Sequence, residues 1–335
     1  MNLIIPMAGR GSRLRPHTLT VPKPLLKVAG KPIVQRLAED LTTSLSEPVE
    51  KIAFVIGDFG AEVPAQLRGI AEGLGAEGVV VTQDEPLGTA HAILCARELL
   101  DGPTMIAFAD TLFRADFDFD PASDGIIWAQ KVDDPSAFGV LKLNDEGVIT
   151  DFVEKPTTFV SDLAIVGIYF VGDGAALRRE LEYLIDHDIK DKGEYQLTNA
   201  LEALKAKGTK FRPGKVDEWL DCGNKHAVVH THARVLDIKA DTESLVDASA
   251  RIDDSVIFPP CYIGPGAKVI NSVVGPHVSL GEGSTIRGSV VRNTIIQDGT
   301  AVEDAHVTDS MIGSKSTYRG RAQEVSVGDY SEVGA

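Results

Sequence analysis

Short apolar runs alternate with longer, more polar segments from the start of the chain to about residue 236. The runs are rich in Ile, Val and Leu, which is typical of strands that are buried on both faces of a sheet. The longer segments between them are predicted to be helices. This alternation predicts an α/β fold: a Rossmann-like, mixed and mostly parallel sheet with helices on both of its faces.

The individual elements follow from the lengths and boundaries of these segments. The most apolar run, 163–171, is expected to be a central strand, and Asn144–Gly147 is expected to form the turn of a hairpin. The other strands are predicted at 3–6, 51–56, 79–83, 104–109, 125–131, 138–143, 148–154 and in a region ending at 221. The helices are predicted at 32–43, 62–74, 89–100, 175–186, 195–207 and 224–236.

The pattern changes in the last third of the chain, where single aliphatic residues recur every five or six positions. Gly, Pro, Asn, Asp and Ser lie between them, so the spacing fits neither a helix nor a half-buried strand. A period near six predicts a left-handed parallel β-helix, in which each flat face supplies one inward side chain. A small β-sandwich with irregular turns is the alternative. The recurring residues are Ile257, Ile263, Val269, Val274, Leu280, Ile286, Val291, Ile296, Val302, Val307 and Ile312.

Two domains are therefore predicted, residues 1–236 and residues 237–335. The stretch 247–312 has room for three or four coils of roughly 18 residues each. We expect a loop at 314–321 and a last pair of strands at 325–333. Because a β-helix has open ends, it should be capped or packed against another subunit, so we expect a homo-oligomer.

Composition limits the possible partners and compartment. The chain has 335 residues, a mean hydropathy near zero and a net charge of −16, which argues against binding nucleic acid or an anionic membrane. It has no apolar stretch long enough to span a bilayer and no signal-like N-terminus. Cys95, Cys222 and Cys261 are far apart in the sequence, as expected for reduced thiols. We expect a cytoplasmic protein.

The charge of the first segment is opposite to that of the whole chain. Residues 1–38 contain no acidic residue, and their seven basic residues are Arg10, Arg13, Arg15, Lys23, Lys27, Lys31 and Arg36. A loop with two glycines follows the first predicted strand, and glycine allows backbone N–H groups to approach a phosphate closely. Pro22 and Pro24 fix the backbone on either side of Lys23. The segment therefore predicts an anion-binding site.

Residues 9–18 read G-R-G-S-R-L-R-P-H-T, and residues 22–25 read P-K-P-L. This stretch resembles the signature of the sugar nucleotidyltransferases, with Ala8 where the first signature glycine usually stands. The closest resemblance is to the glucose-1-phosphate thymidylyltransferases. It implies catalytic roles for Arg13 and Lys23, and it matches residues 83–90 to a segment whose glutamine reads the nucleobase. The implied nucleotide-binding residues are Ala8, Gly9, Gly11, Ser12, Arg13, Gln83, Gly88 and Thr89.

Asp110 and Asp221 each end a predicted strand. Ligands of open α/β sheets bind beyond the carboxyl ends of the strands, and two carboxylates there suit one Mg²⁺ shared with substrate phosphates. A turn or a helix cap is the alternative for either residue alone. The resemblance matches the pair to the metal-binding aspartates of the family. Members often have Gly-Asp-Asn around the first aspartate, whereas this chain has Ala109-Asp110-Thr111.

The resemblance also implies a site for the sugar phosphate. By spacing alone, Glu154-Lys155-Pro156 is a surface turn. In the family this tripeptide binds the sugar-1-phosphate, the glutamate through sugar hydroxyls and the lysine through the phosphate. Phe138-Gly139-Val140 matches a family segment whose glycine contacts the sugar. The implied sugar-phosphate-binding residues are Gly139, Glu154, Lys155, Ile165 and Tyr169.

The function expected from this resemblance is transfer of a nucleoside monophosphate from a nucleoside triphosphate to a sugar-1-phosphate, with release of pyrophosphate. The resemblance favours dTTP and glucose-1-phosphate, with Mg²⁺ as cofactor, and leaves UTP- and GTP-using relatives open. A bifunctional enzyme whose β-helix transfers acyl groups, with His277 or His306 as candidates, is a further alternative. A non-catalytic regulatory subunit is disfavoured, because Arg13, Lys23, Asp110, Lys155 and Asp221 are all present.

Overall fold

The computed structural model describes residues 1–9, 11–115, 120, 122–321 and 324–332, so Arg10 of the first loop lies outside the described residues. The chain forms two compact units. The first comprises residues 1–26 and 31–227, and the second comprises residues 27–30 and 228–335. The domain boundary predicted after residue 236 stays a prediction; that position falls within a helix that continues to Lys239.

Before the second unit's coils the chain contains thirteen strands and six α-helices among the described residues. The strands are β1 (Asn2–Pro6), β2 (Lys27–Val28), β3 (Lys31–Pro32), β4 (Lys51–Ile56), β5 (Glu77–Thr82), β6 (Thr104–Ala107), β7 (Thr111–Arg114), β8 (Gly125–Lys131), β9 (Gly139–Leu143), β10 (Ile149–Glu154), β11 (Leu163–Val171), β12 (Phe211–Lys215) and β13 (Glu218–Asp221). The helices are α1 (Ile33–Ser44), α2 (Val63–Gly73), α3 (Thr89–Cys95), α4 (Gly174–Asp186), α5 (Leu197–Ala206) and α6 (Lys225–Lys239).

The main sheet of the first unit runs in the order β10-β9-β11-β6-β1-β4-β5, with β8 paired to β11 and β12 paired to β8. β1 is parallel to both β4 and β6, and β4 is parallel to β5. β11 is antiparallel to its neighbours β6 and β8, so the sheet is mixed. The carboxyl ends of β1, β5 and β6 consequently lie at one edge, where open α/β sheets bind ligands.

Most predicted elements are present with shifted ends. The strand predicted at 104–109 ends at Ala107, so Asp110 lies in the short connection between β6 and β7. The helix predicted at 89–100 ends at Cys95 and continues only as a 3₁₀ turn at Arg97–Leu99. The hairpin β9–β10 and the central strand β11 are confirmed.

The described residues of the second unit from Arg251 onward contain eleven short strands, and these strands pair with one another in parallel. They are β14 (Arg251–Asp253), β15 (Val256–Ile257), β16 (Cys261–Ile263), β17 (Lys268–Ile270), β18 (Val273–Val274), β19 (Val278–Leu280), β20 (Thr285–Arg287), β21 (Val290–Ile296), β22 (Ala301–Glu303), β23 (His306–Ile312) and β24 (Thr317–Arg319). Equivalent positions are 17 or 16 residues apart, as in Arg251↔Lys268 and Thr285↔Ala301. The predicted β-helix is confirmed, with slightly shorter coils than expected.

The coils are held by inward columns of aliphatic side chains. One column is Val269, Ile286 and Val302, all fully buried. The corners need a left-handed backbone, which glycine adopts readily and Asn or Asp tolerate best among other residues. At one corner the left-handed residues are Gly266, Gly283, Gly299 and Lys315, and at another they are Asp254, Asn271, Gly288 and Asp304. This is why polar and glycine residues separate the aliphatic ones in the sequence.

Two expectations about the end of the chain are wrong. The stretch 314–321 is not wholly a loop, because β24 pairs in parallel with β22 and adds a fifth strand to that face. The described residues 325–332 contain no strand, and Val333 lies outside the described residues. No helix within the described parts of the chain has the length and apolar character needed to cross a membrane.

Candidate active site

A cavity of about 390 Å³ opens at the carboxyl ends of β1, β5 and β6. Ten of the residues predicted to bind nucleotide, metal or reacting phosphate line it. Phe108, Glu194 and Gly223 line it as well. The predicted residues at its wall are Ala8, Gly9, Gly11, Ser12, Arg13, Lys23, Gln83, Gly88, Thr89 and Asp110.

The glycine loop is shaped by contacts that exclude a side chain at residue 11. Gly11 has φ +60°, and a Cβ there would lie 2.7 Å from Lys23 Cβ. Thr18 Oγ1 donates a hydrogen bond of 2.8 Å to Gly11 O. The loop backbone therefore packs closely against the aliphatic part of the Lys23 side chain.

Lys23 is directed inward, and its flanking prolines restrict the backbone on either side of it. Only 7% of the residue is exposed, and its Nζ lies 3.3 Å from Asp110 Oδ2. It starts a 3₁₀ turn, Lys23–Leu25, with Pro22 before it and Pro24 inside it. Because a buried ammonium needs a compensating charge, the Asp110 carboxylate stabilises its position in the cavity wall.

The antiparallel pair β7–β13 brings Asp221 next to Asp110. Asp221 lies opposite Thr111 in this pair, and Cys222 N donates to Asp110 O at 3.0 Å. Burial raises the pKa of the Asp221 carboxyl, and the nearby Asp110 charge adds to the rise, whereas Lys23, the Gly223 N–H and Arg13 oppose it. The two carboxylates therefore share one electrostatic environment with the two cations predicted to be catalytic.

This donor set fits magnesium. Across the described ranges there is no group of three or more His, Cys, Asp or Glu side chains that could hold a metal ion by themselves. Mg²⁺ is usually held by one or two carboxylates, and phosphates and water complete its octahedron. Asp110 and Asp221 match that incomplete protein shell, and Asp110, whose side chain is half exposed, faces the cavity.

The side of the cavity predicted to face the nucleobase is built by the loop between β5 and α3. Gly88 has φ +121°, and a Cβ there would lie 2.4 Å from Tyr195 O, so this position requires glycine. Thr89 Oγ1 donates to Gln196 Oε1 at 3.2 Å and accepts from Leu197 N at 2.9 Å. Within the structure Thr89 thus ties this loop to the start of α5, and its predicted contact with nucleotide stays a prediction.

The residues predicted to bind the sugar phosphate form a separate group. Glu154 pairs with Gly139 in the β9–β10 ladder, and a Cβ on Gly139 would lie 3.0 Å from Glu154 Oε2 and 3.1 Å from Ile165 Cδ1. Glu154 and Lys155 do not line the first cavity. They line a second one of about 400 Å³, together with Lys192.

Tyr169 links the two groups. It is buried, and its ring stands edge-on to Phe108 with 6.0 Å between the ring centroids. Burial raises the pKa of the Tyr169 hydroxyl, and the charges of Glu154 and Asp110 raise it further. The Tyr169 hydroxyl is therefore within electrostatic reach of one carboxylate on the predicted sugar side and one on the predicted metal side.

Sequence reasoning missed Phe108 and Lys192. Phe108 follows β6 directly, so its position at a strand's carboxyl end was the available signal. Lys192 Nζ donates to the carbonyl oxygens of Glu154 and Lys155, both at 3.0 Å, and so holds the turn that carries Lys155. No local sequence pattern indicates this contact, because the residues are far apart in the chain.

The chain belongs to the nucleotidyl transferase family, whose model matches residues 3–238. It is 29% identical to the glucose-1-phosphate thymidylyltransferase of Streptomyces antibioticus over 79% of this chain and 78% of that protein. It is also 29% identical to the low-salt glycan biosynthesis nucleotidyltransferase Agl11 of Haloferax volcanii, over 72% of this chain and 67% of that protein.

A third relative, the bifunctional protein GlmU of Methanocaldococcus jannaschii, is 29% identical over 77% of this chain, which spans 60% of that longer protein. Among solved structures, a Bacillus anthracis protein described as a glucose-1-phosphate thymidylyltransferase superimposes with a TM-score of 0.58. It shares 23% identity, over 70% of this chain and 94% of that one. This likeness supports the fold.

Proposed function

We propose that this protein transfers a nucleoside monophosphate from a nucleoside triphosphate to a sugar-1-phosphate and releases pyrophosphate. dTTP and glucose-1-phosphate are the favoured substrates. The observation that carries the proposal is the ion pair of Lys23 and Asp110 in the wall of the first cavity, with Asp221 adjacent and the glycine loop above. The Streptomyces relative, named for this reaction, supports it.

The reaction needs positioning and charge neutralisation more than it needs a covalent nucleophile, because the attacking phosphate is already an anion. A sugar-phosphate oxygen bonds to the α-phosphorus while the bond to the β-phosphate oxygen breaks, and pyrophosphate leaves. Lys23 and Arg13 would offset the negative charge that develops on the triphosphate. Lys155 would hold the attacking phosphate, and Glu154 would bind sugar hydroxyls.

Asp110 and Asp221 would hold Mg²⁺, which supplies charge neutralisation on the triphosphate when bound.

The same proposal includes a cytoplasmic location, which fits three cysteines present as free thiols. It also includes a homo-oligomer. The outward column Val256, Val273 and Val290 on the β-helix is exposed and supports a subunit contact.

Pyrophosphate release tests the function. dTTP, UTP, GTP, CTP and ATP would each be combined with glucose-1-phosphate or mannose-1-phosphate in the presence of magnesium. We expect release with dTTP and glucose-1-phosphate, and none when the sugar phosphate is omitted. An absence of release with every pair, under conditions in which an authentic thymidylyltransferase is active, would refute the proposal.

A further inference from the structure

Gln83 is the one predicted base-reading residue, and its carboxamide is fixed by two acceptors. It follows β5, lines the first cavity and is 8% exposed. Its Nε2 lies 3.2 Å from Gly88 O and 3.1 Å from His91 Nδ1. A carbonyl oxygen can only accept, so the contact with Gly88 O identifies this end of the carboxamide as the one that carries the N–H groups.

His91 uses the second proton of the same amide. Because Nε2 of a glutamine only donates, His91 Nδ1 must accept, which places the ring proton on His91 Nε2. Both protons of Gln83 Nε2 are then engaged within the protein. In the described part of the chain no donor is bonded to Gln83 Oε1, so the carbonyl oxygen is the group that this side chain offers to a ligand.

We propose that His91 is a positioning residue that keeps Gln83 Oε1 as the acceptor of the base site and thereby selects nucleobases with a ring N–H. Thymine and uracil present an imide N–H at this edge. Cytosine presents a ring nitrogen acceptor there, which would face Oε1 as acceptor against acceptor. The inference rests on the proposed function, since it assigns the base that the same cavity takes.

The position of His91 allows the acceptor to be removed with little disturbance elsewhere. The residue lies in the first turns of α3 and is half-buried. Its other side borders a separate cavity of about 310 Å³, lined also by Leu94 and Cys95. A ring of similar size can therefore occupy the site without being forced into a closely packed core.

Two variants separate the acceptor from the ring. His91→Phe keeps a ring but has no acceptor, whereas His91→Asn places an amide oxygen near the position of Nδ1. UTP and CTP are the matched substrates, because they differ only at the base edge. We expect His91→Phe to lower the UTP-over-CTP ratio of kcat/KM by about tenfold, mainly through the KM for nucleotide. His91→Asn should stay within about threefold of the parent ratio.

The KM for glucose-1-phosphate should be unchanged in both variants, which a general loss of structure would not produce. An unchanged UTP-over-CTP ratio in His91→Phe, or an equal loss in both variants, would overturn the role of His91. Dissociation constants of UTP and CTP, measured on the same proteins by calorimetry, make the test independent of turnover. If the parent protein releases no pyrophosphate, the proposed function fails, and the two dissociation constants still decide whether His91 sets base preference.

Discussion

Lys23 Nζ lies 3.3 Å from Asp110 Oδ2, and this contact joins the first loop of the fold to the connection that follows β6. Lys23 is nearly buried, whereas half of the Asp110 side chain is exposed. The buried Lys23 therefore fixes the position of the Asp110 side chain, and the exposed Asp110 carboxylate remains able to bind a further cation. A magnesium ion bound there would share Asp110 with Lys23, so both positive charges would face the same phosphates.

Replacing Asp110 with Asn tests the proposed metal site. The variant removes one of two carboxylates and leaves Lys23 without its ion pair, so we expect kcat/KM at ordinary magnesium to fall by at least about 100-fold. Higher magnesium should restore part of the activity. Asp145→Asn, in the exposed hairpin turn, is the matched control and should leave turnover unchanged. Near-normal turnover of Asp110→Asn would remove this residue from the metal site.

Lys155→Ala tests the second cavity. Lys155 is more than half exposed and has a left-handed backbone, and Lys192 holds its turn through two carbonyl oxygens. Loss of a charge-assisted contact with phosphate should raise the KM for sugar phosphate by about tenfold while the KM for nucleotide stays constant. The exposed Lys142 on β9 provides the control, Lys142→Ala. Kinetics identical to the parent would place Lys155 outside the site.

Asp221→Asn should raise the stability of the protein while it abolishes the activity. A raised pKa means that the folded protein holds this proton more tightly than the unfolded chain does. The stabilising contribution is complete below the ordinary value of 3.8 and is lost as the pH rises through the raised pKa. At pH 7 and without magnesium, the neutral amide should therefore raise the melting temperature by a few degrees, although turnover is lost.

The melting temperatures of the parent and Asp221→Asn should converge as the pH is lowered toward 3.8. Both would be measured in a chelator, so that metal binding does not contribute. A variant that melts below the parent at pH 7 would show that the attraction of Lys23 and Arg13 outweighs burial at this carboxylate.

Gly88→Ala should distort the side of the cavity that is predicted to face the nucleobase. The new Cβ would lie 2.4 Å from Tyr195 O, and the φ of +121° disfavours any side chain. We expect a loss of about 2 kcal/mol or more in the free energy of unfolding, together with a raised KM for nucleotide. Gly69→Ala, within α2 and with open space around its Cβ, is the control and should be neutral or slightly stabilising. Equal denaturation midpoints for the two variants would contradict this account.

Two substitutions at equivalent corner positions of the β-helix should change its stability in opposite directions. Gly283 and Lys315 both have left-handed backbones at the same corner, and a Cβ on Gly283 would meet open space. Gly283→Ala should therefore lower the free energy of unfolding by about 1 kcal/mol, because alanine disfavours the left-handed backbone. Lys315→Gly should be neutral or stabilising, and urea denaturation of the two variants and the parent measures both effects. A destabilised Lys315→Gly would show that the lysine side chain contributes more than its backbone costs.

The sequence alone determined the features that depend on local periodicity and on residue type. A repeat near six predicted the β-helix, because each corner needs a left-handed residue and each face needs one inward aliphatic side chain. The glycines of the first loop and the prolines around Lys23 likewise act within a few residues. The prediction of a loop at 314–321 was wrong because β24 is a strand through its parallel pairing with β22. Its own residues do not indicate this pairing.

Only the tertiary structure decided which distant residues meet. Asp221 reaches Asp110 because β13 pairs with β7, the Tyr169 ring packs edge-on to Phe108, and Lys192 holds the turn at Lys155. The same holds for Gln83, for which the family resemblance predicts a base contact but whose donor and acceptor ends are set by Gly88 O and His91 Nδ1. These relationships depend on strand pairing and on hydrogen bonds between residues that are distant in the sequence, and the local sequence pattern predicts neither.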